Sequence, residues 1–111
     1  MLFHITMTHS EDNCPAYNRD KMPEVLNAFE NLGNMGEELG VKLQSFVWTP
    51  TDHVAYILAE ADTLGALNRY LFSIPIPSHT RVVPVEPLAD TVTMARALAN
   101  QSKQAGSSSR G

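Results

Sequence analysis

The feature that most constrains this chain is a repeated change of hydrophobic period, which spells strand, helix, strand, strand, helix, strand and then one further helix. The opening run, Leu2–Thr8, sets Phe3, Ile5 and Met7 against His4, Thr6 and Thr8. An alternation of two belongs to a strand with one buried face. From Asp20, read as an N-cap, apolar residues fall at Met22, Val25, Leu26, Phe29, Leu32 and Leu39, the stripe of an amphipathic helix, with Pro23 suited to its first turn. Gly33 and Gly36 each weaken the second half by about 1 kcal/mol relative to Ala, so fraying or close packing is expected there; Gly40 supplies a left-handed stop. Residues 41–48 and 53–60 read as a hairpin about a turn at Thr49–Asp52. Asp62 is read as the cap of a short helix carrying Leu64, Leu67, Leu71 and Ile74, which the Pro75 and Pro77 segment ends. The fourth strand, 81–86, contains Pro84, whose missing amide donor predicts an edge or a bulge. A third helix is expected over 90–100, with Val92, Ala95, Leu98 and Ala99 on one stripe. The domain is thus expected to span 1–100, and residues 101–111, poor in apolar groups, to form a flexible tail.

That order is the split βαβ pattern of an α+β, ferredoxin-like βαββαβ fold: four antiparallel strands, both helices on one face, and an extra C-terminal helix. The opposite face is left bare. With 111 residues, the chain buries only about two-thirds of the surface it exposes unfolded. A second copy docking sheet to sheet is therefore expected. In this order of elements, over residues 1 to about 100, and in its start from Met1 to His9, the chain resembles small one-domain members of the dimeric α+β barrel superfamily. The resemblance implies a homodimer enclosing a cavity between two sheets. It implies no single activity, since that superfamily includes cofactor-independent oxygenases, haem-binding enzymes, lactone isomerases and ligand-sensing modules, and no motif carries a functional residue across.

Composition removes several partners. The net charge is −4, with no run of Lys or Arg, which argues against a surface that tracks nucleic-acid phosphates. A single cysteine, Cys14, precludes an intrachain disulfide and points to a reducing compartment; with no leader pattern, a cytoplasmic location is expected. No apolar run approaches the roughly 20 residues that span a bilayer, so no membrane partner is expected. A glycine-rich phosphate loop, a serine nucleophile elbow, HExxH and CxxC are all lacking in the sequence, which moves nucleotide hydrolysis, serine hydrolase chemistry and thioredoxin-like exchange out of the front rank.

Two sets of residues carry chemistry. If Phe3, Ile5 and Met7 face the helices, His4, Thr6 and Thr8 look into the space between two sheets, where a wet pocket would form. The first expectation is a dimer that binds a small organic molecule there and transforms it by proton transfer or oxygenation. His4 and His53 are its catalytic candidates because imidazole exchanges protons near neutral pH; Thr6, Thr8, Trp48 and Tyr56 are its ligand-binding candidates. The plainer roles are a hydrogen-bonded His4 and aromatic packing. The second set lies in residues 9–20, a stretch long enough to be more than a connector. His9, Glu11, Asp12 and Cys14 give it the donors of a soft-metal site, although their spacing matches no standard zinc pattern. Further ligands must come from elsewhere, His53 and His79 first, Glu60 and Glu86 second. The cofactor expected on this reading is a transition metal. Cys14 as a nucleophile requires a neighbouring base, which the sequence does not show; its plainer role is a small residue in a Pro-bounded loop. A non-catalytic ligand-sensing module is the third class.

Overall fold

Four strands run antiparallel in the order β2-β3-β1-β4, with β1 (Leu2–Thr8) and β3 (Val54–Ala61) central and β2 (Val41–Thr49) and β4 (His79–Val85) at the edges. This computed structural model describes residues 1–110, with side chains through Ser102. Between strands lie two single-turn 3₁₀ segments (Glu11–Asn13 and Pro15–Tyr17), α1 (Met22–Glu30), α2 (Leu32–Leu39) and α3 (Leu64–Phe72); α4 (Leu88–Arg110) follows β4. The fold is ferredoxin-like α+β, as the order of hydrophobic periods requires.

The alternation in β1 sorts its side chains as expected: Phe3, Ile5 and Met7 are buried beneath the helices, while His4, Thr6 and Thr8 are half-buried on the other face. In β3, Ala55, Ile57, Ala59 and Ala61 join the same core, together with Val25, Leu32, Leu67 and Leu71 from the helices. Each buried Val, Leu or Ile among these stabilises the fold by about 1.5–3 kcal/mol, the alanines by less. Tyr70 is wholly buried, and its hydroxyl donates to the Leu32 carbonyl at 3.0 Å, tying α3 to the start of α2. On the open face Val47, Tyr56, Val83 and Val85 are exposed.

Several local readings need correction. The first helix is two, because the chain breaks at Asn31 (φ −99°, ψ 5°), whose side-chain amide donates back to the Asn27 carbonyl at 3.0 Å. Gly36 marks close packing: a Cβ there would stand 2.5 Å from the Val41 carbonyl oxygen. Gly40, at φ 74°, ends α2 in the left-handed conformation expected of it. Lys21 rather than Asp20 precedes α1, with no side-chain cap, and Thr63 rather than Asp62 caps α3, its hydroxyl accepting from the Ala66 amide at 3.0 Å. Pro84 lies on edge strand β4, where a lost amide donor is tolerated. Among the described residues no other element packs against α4, and Leu88, Val92 and Leu98 on it are exposed. The helix expected over 90–100 runs from Leu88 to Arg110, so residues 101–110 of the expected tail fall on α4, while Gly111 lies outside the described residues.

A candidate metal centre at the end of the first strand

The parity of β1 carries one step past its last residue. His9 follows Met7 onto the helix side and is only 9% exposed. Its amide donates to the His53 carbonyl at 3.2 Å, so the antiparallel pairing of β1 with β3 brings the two histidines together. His53 closes the β2–β3 turn, in which the Asp52 amide donates to the Thr49 carbonyl at 3.2 Å. It holds φ 56°, the left-handed region in which a non-glycine residue is strained.

Cys14 arrives by a different route. It joins the two 3₁₀ segments, donating from its amide to the Glu11 carbonyl (3.1 Å) and accepting from the Tyr17 amide (3.0 Å). The side-chain amide of Asn18 donates to the Asp12 carbonyl at 2.7 Å and to the Cys14 carbonyl at 3.0 Å. Cys14 is thereby buried, at 7% exposure, although no regular element contains it.

One donor atom from each of His9, Cys14 and His53 lies within 4.8 Å of the other two. The imidazole rings of His9 and His53 stand edge to face, with centroids 5.1 Å apart, and the Trp48 ring is tilted against His9 at a centroid separation of 5.3 Å. Nε2 of His9 and Nδ1 of His53 are buried without a hydrogen-bond partner among the described residues. Leaving such groups unpaired costs about 1–3 kcal/mol each, so their retention needs a reason. Burial first, and the neighbouring His53 second, lower the pKa of His9 and favour its neutral, metal-binding form. A thiol and two imidazoles are donors for zinc and other soft or borderline transition ions, not for calcium or magnesium, which take oxygen.

The other residues singled out in the sequence do not converge here. His79 pairs with Thr8, shares its open face, and is exposed; Thr8 Oγ1 donates to the His79 carbonyl at 3.3 Å. His4 sits at mid-strand opposite Leu58 and Val83, whereas His53 lies beyond Thr8, at least four residues or about 13 Å along β1. Within one chain, His4 and His53 therefore do not meet. Tyr56 is on the open face near His4, with ring centroids 6.4 Å apart. Trp48 is on the helix face against Phe29 and Phe46, so Trp48 and Tyr56 cannot line one pocket. A bulge between Leu43 and Ser45 is the cause, since one extra residue in β2 reverses the face of every side chain after it. Glu60 faces Gln44, which donates to its carboxylate at 3.3 Å, and Glu86 accepts from the Thr91 hydroxyl at 2.8 Å; neither joins the cluster. Asn18 was not foreseen, although an Asn in a turn-rich stretch is a common donor to nearby backbone.

Two open clefts lie elsewhere among the described residues: one of about 760 Å³ bordered by Met7, Leu71, Ile76 and Val82, and one of about 620 Å³ bordered by Leu32, Gly36 and Val41. No described helix is long and apolar enough to cross a membrane.

Residues 1–99 match the family described as Domain of unknown function (DUF3303). No curated protein matches the chain. Among solved structures, SCO4226 from Streptomyces coelicolor A3(2) is similar at 15% identity over 76% of this chain and 99% of that one, with a TM-score of 0.48. The de novo designed protein Ferredog-Diesel is similar at 10% identity over 76% and 85%, also at 0.48. A dimeric ferredoxin-like protein from an uncultured marine organism is similar at 16% identity over 78% and 95%, at 0.35. With scores this low, the fold stands on its own strand order and register rather than on these likenesses.

Proposed function

The chain belongs to the DUF3303 family, whose description assigns no activity, and from its own residues we propose that it binds a soft or borderline transition metal ion through His9, Cys14 and His53. The observation that carries this reading is that His9, Cys14 and His53 bring one donor atom each within 4.8 Å of the others, at a place where both imidazoles keep a buried ring nitrogen without a hydrogen-bond partner among the described residues. In a tetrahedral site with zinc–ligand bonds of about 2.0–2.3 Å, donor atoms stand about 3.3–3.8 Å apart. No pair of donors therefore needs to close by more than about 1.5 Å on binding, within the reach of side-chain rotation. A thiolate and two neutral imidazoles leave a divalent ion with one net positive charge and one position for an outside ligand. A thiol ligand is kept available in a reducing compartment, consistent with a cytoplasmic protein. The test is elemental analysis of protein purified without an affinity tag, followed by zinc and cobalt titration of the metal-free form. One ion per chain is expected; a metal-free protein with no affinity on reconstitution ends the proposal.

A second reading concerns the open face, where exposed Val47, Tyr56, Val83 and Val85 surround half-buried His4 and Thr6. A second copy of the chain covers this face, and the chamber so formed takes a small organic molecule, with His4 as its base and Thr6, Thr8 and Tyr56 as its lining. Sedimentation equilibrium tests the assembly. A dimer that Val83→Glu converts to monomer is expected, and a wild-type monomer at high concentration removes both dimer and chamber.

A further inference from the structure

We infer that Asn18 is the positioning residue for the Cys14 thiolate, an inference that rests on the metal reading above. His9 and His53 are held by the paired strands, their backbones joined by a 3.2 Å hydrogen bond. Cys14 has no such support, because it lies in a stretch between β1 and α1 with only single 3₁₀ turns on either side. Beyond the backbone bonds of those turns and a bond from the Asn13 side-chain amide to the Ser10 hydroxyl (3.2 Å), one side chain ties the two turns together. Asn18 Nδ2 donates to the Asp12 carbonyl at 2.7 Å and to the Cys14 carbonyl at 3.0 Å, and its backbone amide donates to the Pro15 carbonyl at 3.1 Å.

The chemistry of the amide explains why asparagine fits. Its planar nitrogen carries two hydrogens, and both are used on carbonyls two residues apart. Aspartate has the same shape but no donor, and would set a negative oxygen against two carbonyl oxygens; serine offers one donor. With the clamp intact, the cysteine is presented before the ion arrives. Without it, the stretch must be ordered during binding, and the affinity falls by that amount. Partners that orient a ligand in this way are typically worth about 10–100-fold in metal affinity.

Cobalt(II) titration of the full-length, metal-free protein separates this role from general stability, because thiolate-to-cobalt charge transfer reports the sulfur bond and d–d bands report the coordination geometry. Wild type should show both sets of bands. Asn18→Asp should lower cobalt affinity about 10–100-fold and weaken the charge-transfer band, while the circular dichroism and melting temperature of the metal-free protein stay near wild type; Asn18→Ser should fall between the two. Equal affinity and an equal charge-transfer band in Asn18→Asp overturn the inference and leave the metal reading standing. If Asn18→Asp does not fold, the same two readouts on Asn18→Ser decide, and a wild-type band there overturns it. Wild-type protein that binds no cobalt removes the metal reading and this inference together, and cobalt bound without a thiolate band removes Cys14 from the site and the role of Asn18 with it, leaving only a histidine site.

Discussion

His4 and His9 are five residues apart, on and just beyond one strand, yet their surroundings are opposite. His9 is buried on the helix side against His53 and Trp48, with an unpartnered ring nitrogen; His4 is half-buried on the open face, with Tyr56 as its aromatic neighbour. Five is an odd number, and in a strand an odd step changes face. The helix side adds what the open face lacks in a single chain: walls. Trp48 and the β2–β3 turn close around His9, so polar groups that remain there unpaired call for a ligand, whereas water satisfies the same groups on the open face.

The sharpest way to break this comparison is to exchange the roles of the two histidines. His9→Ala or Cys14→Ser should abolish stoichiometric metal binding, read by elemental analysis and cobalt titration, while His4→Ala leaves it unchanged. Retained binding in His9→Ala, or loss in His4→Ala, shows that the wrong face has been chosen.

Next in size is the energetic contrast between faces, read from neighbours on one strand. Ile5 is fully buried and Thr6 is not. Ile5→Ala should lower unfolding free energy by about 2–5 kcal/mol, and Thr6→Ala by no more than about 0.5 kcal/mol, both measured by urea unfolding of the metal-free protein. A loss at Thr6 that rivals Ile5 indicates that the open face is as tightly packed as the core, which a second copy would cause. Repeating the measurement at several protein concentrations identifies that cause.

A smaller effect separates strain from stability at His53. Its left-handed backbone costs about 1 kcal/mol, and glycine adopts that conformation freely. His53→Gly should therefore leave the metal-free melting temperature unchanged or slightly raised while removing metal affinity. A clear drop in melting temperature means that the imidazole stabilises the turn by itself, and the strain is then no sign of a ligand role.

How much of this was legible follows the range of the interactions involved. The face of each β1 residue was readable because parity is local, and so were the left-handed stop at Gly40 and the edge position implied by Pro84. His9, Cys14, His53 and His79 were all nameable as donors by type, but only register separates them, since pairing with Thr8 commits His79 to the open face. Trp48 misled because the bulge after Leu43 lies in a run with no glycine or proline to announce it. The break at Asn31 and the clamp at Asn18 escaped for a related reason: a side-chain amide that hydrogen-bonds its own neighbourhood leaves no periodic trace.

The smallest predicted effect concerns two of the three tyrosines, one for each face. Tyr70 is wholly enclosed and Tyr56 is 41% exposed. Burial raises the pKa of Tyr70 above its usual value of 10.0, because ionising it places a phenolate in the core. The folded state then holds a proton that the unfolded chain has released, so stability is fully present below about pH 10 and falls as pH rises above it, with a limiting slope of about 1.4 kcal/mol per unit until the folded-state pKa is reached. Tyr70→Phe should flatten this alkaline limb after a modest loss at neutral pH, where the bond to the Leu32 carbonyl is missing; Tyr56→Phe should leave the limb intact. Urea unfolding at a series of pH values from 8 upward checks it. An alkaline limb that survives Tyr70→Phe would mean that another group controls stability there, and that the contrast between the faces does not extend to their tyrosines.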